Sequence, residues 1–130
     1  MNAVLVDTNV MSYAFKRDTR AANYYRHLEN VKVCLSFVTV AELYLWTIER
    51  SWGERRIAEL KALLATCVLL PHDDETSWNW ASVRSTKGRP VSASDAWIAA
   101  TALRHDLPLV THNRRNFENI PGLKLVSESV

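Results

Sequence analysis

Short apolar runs that alternate with amphipathic segments constrain the fold of this chain more than any other feature. The apolar runs span residues 3–6, 31–35, 67–70 and 107–111, with a fifth candidate near the C-terminus at 123–126. Each run is apolar at almost every position. Strands with one solvated face alternate apolar and polar residues, whereas strands covered on both faces in a parallel sheet do not. We therefore expect a buried, mainly parallel sheet of four to five strands.

Segments with the apolar periodicity of amphipathic helices fill the gaps between these runs. They span residues 21–29, 40–50, 54–65, 74–85 and 94–105. The buried face of the second is expected to carry Val40, Leu43, Tyr44, Trp46 and either Thr47 or Ile48, and that of the third Ile57, Leu60, Leu63 and Leu64. Strands that alternate with helices predict an α/β fold with right-handed crossovers, here a three-layer α/β/α sandwich. We expect residues 1–130 to form one domain.

Composition limits the class of protein without identifying its activity. The chain has 130 residues, of which 48% are hydrophobic and 23% charged, as in an ordinary globular domain. Its apolar stretches are all much shorter than the roughly 20 residues that a membrane span needs, and we see no secretory signal. We therefore expect a cytoplasmic protein whose two cysteines, Cys34 and Cys67, are buried free thiols. A net charge of +2 permits nucleic-acid binding but does not demonstrate it.

Acidic and amide side chains follow the predicted strands. In open parallel sheets, ligands bind beyond the carboxyl ends of the strands. Asp7, with Thr8 and Asn9, comes directly after the first strand, and the chain after the second strand leads to Glu42. Asp95 stands at the start of a later helical segment, and Asn113 follows the strand at 107–111. Three carboxylates and one amide are therefore placed where they can converge.

Each of these acids also has an ordinary structural explanation. Asp7 can cap the first helix, and residues 39–42 and 92–95 both resemble capping boxes with the acid at the third helical position. Capping does not explain why three such acids would lie at one edge of the sheet. Clustered carboxylates repel each other unless a proton or a cation neutralises them. Oxygen ligands of this kind suit Mg²⁺ or Mn²⁺.

Four motifs resemble those of a known family. The chain resembles the PIN-domain ribonucleases in the sequence, order and separation of these motifs. They are VLVDTNV at 4–10, TVAEL at 39–43, SDAWIAATA at 94–102 and LVTHNRRNF at 109–117. Within that family the chain is most similar to the VapC toxins of bacterial toxin–antitoxin pairs, over essentially its whole length. The resemblance implies a PIN fold, divalent-metal-dependent endoribonuclease activity on RNA, a homodimer, and inhibition by a cognate antitoxin protein.

The resemblance also implies roles for individual residues. Asp7, Glu42 and Asp95 become the metal-binding carboxylates, and Asn113 joins them in the catalytic set. Supporting or substrate-orienting roles fall to Thr8, Asn9, Thr111, Arg114 and Arg115. Many relatives carry an acid at the position of Asn113 or Asn116. Both are amides here, which leaves open whether a second metal ion binds.

Other polar and aromatic residues admit both a functional and an ordinary interpretation. The acid run Asp73–Asp74–Glu75 could compete as a metal site, but we expect it to stabilise a helix N-terminus. Of the four histidines we expect only His112 at the rim of the site. Basic residues could hold an RNA backbone around the acidic centre, namely Lys16, Arg17, Arg20, Lys87, Arg89, Arg114 and Arg115. Trp46 and Trp52 are candidate anchors of a subunit interface.

Three alternatives to a ribonuclease remain. An aspartate-nucleophile phosphohydrolase would use Asp7 and usually a second aspartate two residues later, where Asn9 stands. A signalling receiver domain would need paired acids after the first strand and a late lysine, and the sequence offers neither. A PIN-fold module that binds RNA or protein with weak or no catalysis is the hardest of the three to separate, because of Asn113 and Asn116.

Overall fold

The computed structural model describes residues 2–128 and contains a five-stranded sheet in which every neighbouring pair is parallel. The strands are β1 (Ala3–Val6), β2 (Lys32–Leu35), β3 (Val68–Leu69), β4 (Leu109–Val110) and β5 (Leu125–Val126), in the order β3-β2-β1-β4-β5. The predicted parallel sheet is confirmed, including its fifth strand, but the edge strand β3 is not buried, since Val68 and Leu69 are 38% and 57% exposed. The strand β1 is central, and its Leu5 pairs with Cys34 of β2 and with Leu109 of β4.

Seven α-helices and one 3₁₀ helix lie within residues 2–128. The α-helices are α1 (Thr8–Lys16), α2 (Tyr25–Leu28), α3 (Phe37–Glu49), α4 (Glu54–Ala65), α5 (Asp74–Arg84), α6 (Ala93–His105) and α7 (Arg114–Phe117), and the 3₁₀ helix spans Thr19–Asn23. Parallel strands require crossovers of this kind, so the helices cover the two faces of the sheet.

The two faces of the sheet bury separate apolar clusters. Along β1, Leu5 faces a cluster that includes Ile98 of α6, whereas Val4 and Val6 face a cluster that includes Leu60 of α4. Small residues of α6 are fully buried, among them Ala96, Ala99, Ala100 and Ala102. The predicted three-layer α/β/α sandwich is therefore confirmed.

The predicted helix over residues 21–29 is wrong. The chain there forms the 3₁₀ helix and then the single turn of α2. Successive amides bond three residues back, from Ala21 to Asp18, from Tyr24 to Ala21 and from His27 to Tyr24. The buried residues Ala21 and Tyr24 are themselves three apart, which matches three residues per turn rather than 3.6.

The helix α3 begins earlier than its sequence pattern suggests. Ser36 is its N-cap and accepts a hydrogen bond from the amide of Val38, so the predicted capping box at residues 39–42 is wrong. Of the predicted buried face, Leu43 and Thr47 are buried, but Tyr44 is 36% and Ile48 73% exposed. The predicted inner face of α4 is confirmed, since Leu60 is fully buried and Ile57, Leu63 and Leu64 are half-buried.

The remaining expectations about the fold concern the thiols and the membrane. Cys34 is buried and Cys67 half-buried, and both are free thiols whose pKa is raised by burial. Between residues 2 and 128 there is no helix with the length and apolarity required to span a bilayer.

Candidate active site

Asp7, Glu42 and Asp95 line one cavity of about 250 Å³ at the carboxyl edge of the sheet. Asp7 follows β1 directly, Glu42 lies in the helix that follows β2, and Asp95 lies in the first turn of α6. The other lining residues are Thr8, Asn9, Trp46, Ile98, Asn113 and Asn116. Three carboxylates that lie far apart in the sequence thus share one cavity.

Asp7 is the most buried of the three acids, at 3% exposure. Its Oδ1 accepts a hydrogen bond of 2.9 Å from the amide of Val10, so Asp7 does cap α1. Its Oδ2 accepts one of 2.5 Å from the hydroxyl of Thr111, which capping does not require. Burial raises the pKa of Asp7 from 3.8 to about 6, and the charges of Asp95 and Glu42 add to the increase while the two hydrogen bonds oppose it.

Glu42 connects three helices through its carboxylate. Its Oε1 accepts a hydrogen bond of 2.7 Å from the hydroxyl of Thr8 in α1, and its Oε2 accepts one of 2.8 Å from the hydroxyl of Ser94 in α6. The Thr8 hydroxyl also lies 3.1 Å from that of Thr39. Both oxygens are therefore fixed in position by hydroxyl donors.

Asp95 combines a helix-terminal position with a side chain in the cavity. Ser92 is the N-cap of α6, and its hydroxyl oxygen accepts a hydrogen bond from the backbone amide of Asp95. This capping interaction is therefore present as the sequence predicts. The Oδ2 atom of Asp95 accepts a hydrogen bond of 3.3 Å from the side-chain amide of Asn116. Burial raises the pKa of Asp95, the Ser92 and Asn116 hydrogen bonds oppose the increase, and the charge of Glu42 adds to it.

The segment after β4 borders the cavity on one side. Asn113 and Asn116 line the cavity, whereas Arg114 and Arg115, between them on α7, are exposed and outside its lining. Thr111 lies beneath the cavity, where its hydroxyl donates to Asp7 and accepts from the amide of Asn113 at 3.0 Å. Within residues 2–128, neither arginine forms an ion pair.

Two lining residues, Trp46 and Ile98, were not predicted from the sequence as part of the cavity, and neither was Ser94, which contacts Glu42. Ser94 was not singled out, although it directly precedes Asp95 and hydrogen-bonds Glu42. Trp46 was interpreted as part of the buried helix face and as a candidate interface anchor, yet it lines the cavity. Its position four residues after Glu42 places both on one face of α3, and that spacing was the available signal.

Several predicted neighbours of the site lie elsewhere. The helix α1 has nine residues and so is ~14 Å long. Lys16 and Arg17 lie at its far end from Asp7, in a different cavity. Arg20 pairs there with Asp18 at 2.8 Å. His112 bonds the hydroxyl of Tyr24 at 2.6 Å, and it does not line the cavity of the acids.

The competing acid run has a structural role. Asp73 is the N-cap of α5 and forms a capping box with Thr76. Arg104 pairs with Asp73 at 2.7 Å and with Glu75 at 3.1 Å. The expectation that this run stabilises a helix N-terminus is confirmed, because Asp73 caps α5 and the other two acids lie in its first turn.

The donor set of the cavity fits a hydrated hard cation. All of its candidate ligands are oxygens, the atoms that Mg²⁺ and Mn²⁺ prefer. In the part of the chain that the structure describes, no group of three or more acidic, histidine or cysteine side chains is arranged so that it could by itself hold a metal ion. Mg²⁺ usually keeps several waters and takes one or two carboxylates, so a complete cage is not required.

Comparisons with known proteins agree with this fold. Residues 4–123 match the family model of the PIN domain. The chain is 28% identical over 123 residues to the tRNA(fMet)-specific endonuclease VapC of Shigella flexneri, which covers 92% of this chain and 93% of the relative. It is 31% identical to Toxin FitB of Neisseria gonorrhoeae, over 88% of this chain and 90% of the relative. The solved structure of DNA-bound VapBC from Salmonella typhimurium superposes with a TM-score of 0.81 at 27% identity, over 98% of each chain.

Proposed function

The chain belongs to the PIN domain family, and from that premise we propose that it is a divalent-metal-dependent endoribonuclease, the toxin of a bacterial toxin–antitoxin pair. The observation that carries the proposal is the cavity shared by Asp7, Glu42 and Asp95. The pKa of Asp7 is raised by burial and by its two acidic neighbours, so a cation in the cavity would relieve an unfavourable charge arrangement. The names of its relatives, an endonuclease and toxins, point to the same activity.

In this proposal Asp7 and Asp95 would hold Mg²⁺ or Mn²⁺, and Glu42 would be a further ligand or would orient the attacking water. A bound ion of this kind lowers the pKa of water and neutralises charge that develops on the phosphate. Thr111 keeps Asp7 oriented, and Thr8 and Ser94 keep Glu42 oriented. Asp7 with a pKa of about 6 is largely ionised at neutral pH, as a cation ligand must be.

The remaining residues of the site would contact the RNA. Asn113 and Asn116 offer amide donors to phosphate oxygens, and Asn9 lines the same cavity. Arg114 and Arg115 are exposed beside it, where their guanidinium groups can pair with phosphates of the backbone. Hydrolysis by an activated water requires no covalent enzyme intermediate.

The proposal includes an antitoxin, a cytoplasmic location and a homodimer. The antitoxin is expected because the Salmonella relative was solved as a VapBC complex.

For the dimer, α3 exposes an apolar stripe made of Phe37, Tyr44, Leu45 and Ile48. Trp46 and Trp52, the predicted interface anchors, are instead half-buried against the core. Exposed apolar stripes of this kind mark subunit interfaces more often than free surfaces.

A catalytically weak PIN module is the second candidate, and the observation in its favour is the pair of amides. Asn116 donates to Asp95 where an acid would offer another ligand. A phosphohydrolase with Asp7 as nucleophile is disfavoured, because Asp7 is 3% exposed and both of its oxygens accept hydrogen bonds.

An RNA-cleavage assay tests the proposal. We expect the protein to cleave RNA with Mg²⁺ or Mn²⁺ and not in EDTA. Asp95→Asn, which keeps the shape of the side chain but removes its charge, should abolish cleavage and leave the fold intact. The matched control is Asp74→Asn, which removes an exposed acid from the first turn of α5 and should keep full activity. RNA binding without cleavage under any metal condition would instead favour the inactive module.

A further inference from the structure

A second cavity, of about 530 Å³, lies at the end of α1 remote from the acids. Three of its lining residues are the cations Lys16, Arg17 and Arg56. Its acid, Glu59, lies 3.5 Å from Arg55 in an ion pair on α4. The cavity is therefore strongly basic, although the net charge of the whole chain is only +2.

Two arginines of this region are held on tryptophan rings. The guanidinium of Arg56 lies 4.0 Å from the centre of the Trp52 ring, and that of Arg50 lies 5.1 Å from the centre of the Trp46 ring. Stacking fixes the position of each guanidinium, so a bound anion would cost these side chains little conformational entropy. Their N–H groups remain available for bidentate bonds to phosphate.

The cations of this region repel each other. Burial, Arg50 and Arg56 all lower the pKa of Lys16, and only the charge of Asp18 acts against them. Asp18 is already engaged by the guanidinium of Arg20 through both carboxylate oxygens. Within residues 2–128, none of Lys16, Arg17, Arg50 and Arg56 forms an ion pair. A polyanion is the ligand that would relieve this repulsion.

Trp46 connects this region to the cavity of the acids. Trp46 lines that cavity beside Glu42, and the guanidinium of Arg50 packs over the Trp46 ring. Arg50 in turn acts electrostatically on Lys16, which lies in the second cavity with Arg56. The distance along α1, ~14 Å, corresponds to about four nucleotides of a strand at a rise of ~3.4 Å each.

We propose that Lys16, Arg17, Arg50 and Arg56 form a basic track that binds the phosphate backbone of a single RNA strand whose scissile bond lies in the cavity of the acids. This proposal rests on the proposed ribonuclease function. The track is a positioning surface: it acts on substrate affinity and leaves the chemical step unchanged. An acidic segment of a protein partner is the competing occupant, and continuity with the acidic cavity through Trp46 favours RNA.

The test measures RNA binding separately from cleavage. Labelled uridine oligonucleotides of about 4 and about 16 nucleotides, the range of site sizes known for single-strand binding folds, are titrated in EDTA and followed by fluorescence anisotropy. The test variant combines Lys16→Gln, Arg50→Gln and Arg56→Gln. The matched controls are two single variants, Arg55→Gln and Arg84→Gln, each of which removes one exposed cation that does not line the track.

We expect the test variant to bind the longer oligonucleotide about tenfold more weakly, with little change for the shorter one. Its salt dependence should also be shallower by about 2, because each lost phosphate contact on a single strand removes ~0.7 from the slope. In cleavage assays KM should rise while kcat stays unchanged. Arg55→Gln and Arg84→Gln should change neither affinity nor slope appreciably.

Equal affinities and salt slopes for the wild type and the test variant would overturn the proposal. So would a variant that keeps RNA binding but loses binding to the cognate antitoxin, since the track would then serve a protein partner. Lys16→Gln alone, a change at an exposed side chain, repeats the measurement if the triple variant does not fold. RNA binding through the track without cleavage by the wild type would refute the ribonuclease function and leave the track intact.

Discussion

The hydroxyl of Thr111 donates a hydrogen bond of 2.5 Å to Oδ2 of Asp7 across 104 residues of sequence. The pairing of Val6 with Val110 in the adjacent strands β1 and β4 brings the two residues side by side at the carboxyl edge of the sheet. This bond is the largest effect that opposes the increase in the pKa of Asp7 on burial. The register of two central strands therefore places the hydroxyl that limits the increase in the pKa of Asp7.

Replacing this hydroxyl should shift the pH dependence of activity. Thr111→Val keeps the shape of the side chain and removes the bond, so the pKa of Asp7 should rise further above 6. Because a hydrogen bond to a charged group contributes ~1.5–3 kcal/mol, we expect the acid limb of the activity profile to move up by about one pH unit or more. Thr47→Val, which removes a buried hydroxyl bonded to the carbonyl of Tyr44, is the control and should leave the profile in place. An unchanged profile for Thr111→Val would contradict this role.

Asp7→Asn should stabilise the metal-free protein at neutral pH. The folded pKa of Asp7, about 6, lies above its ordinary value of 3.8, so the folded state binds more protons than the unfolded state between these values. The wild type therefore loses stability as the pH rises from about 4 to about 6, by ~3 kcal/mol in all. We expect the variant to unfold at a higher temperature at pH 7 and to match the wild type near pH 4.

The opposite sign is expected at an acid with a depressed pKa. The guanidinium of Arg20 holds the pKa of Asp18 well below its usual range. Asp18→Asn should therefore lower the melting temperature at pH 7, and the difference should vanish as the pH falls. For Asp7, the contradicting result is a wild type that becomes more stable relative to Asp7→Asn as the pH rises from 4 to 6. That result would mean that the pKa of Asp7 is not raised in the folded state.

The strands and the shared edge were predictable from the sequence because they depend on local patterns. Continuous apolar runs marked all five strands, and strand ends marked Asp7 and the segment after β4. The position of Glu42 was predicted for the wrong reason. Its helix starts at Phe37, so Glu42 reaches the cavity from the middle of α3 and not from a helix terminus.

Other features depend on tertiary packing that no local pattern encodes. Tyr24 is fully buried and its hydroxyl bonds His112, and the chain around it forms a 3₁₀ helix and one α-helical turn in place of the predicted α-helix. Lys16 and Arg17 follow Asp7 closely in sequence, yet they lie at the other end of α1 and line a different cavity. Helix length and direction, rather than sequence distance, decided which cations border the acids.

A divalent cation should raise the melting temperature of the wild type. An ion that binds only the folded state stabilises it by an amount that grows with ion concentration, about 2.7 kcal/mol at a hundred times its Kd. We expect this increase with Mn²⁺ or Mg²⁺ and a much smaller one for Asp7→Ala. Asp74→Ala, in the acid run whose neighbours pair with Arg104, should respond like the wild type. The absence of any increase at millimolar ion would count against a metal site.

The apolar stripe on α3 should be the site of dimerisation. Light scattering should report a dimer at micromolar concentration for the wild type. Ile48→Glu places a charge on the most exposed residue of the stripe, 73% exposed, and should give a folded monomer. Trp78→Glu on α5, where the side chain is 71% exposed outside the stripe, is the matched control and should remain dimeric. A monomeric wild type would remove the dimer and leave the nuclease proposal standing.

The chemistry of the RNA ends discriminates most sharply between mechanisms. A nuclease without metal commonly uses the 2′-hydroxyl of RNA as its nucleophile, with histidines as general base and acid, and leaves a cyclic phosphate. The cavity described here is lined by three carboxylates, and none of its lining residues is histidine. Carboxylates are suited to holding a cation that activates water, which leaves 5′-phosphate and 3′-hydroxyl ends. Ligation-based end mapping should find these ends, and cleavage should survive a single 2′-deoxy substitution at the scissile nucleotide. Cyclic phosphate ends, or activity that persists in EDTA, would mean that Asp7, Glu42 and Asp95 do not have the roles proposed for them.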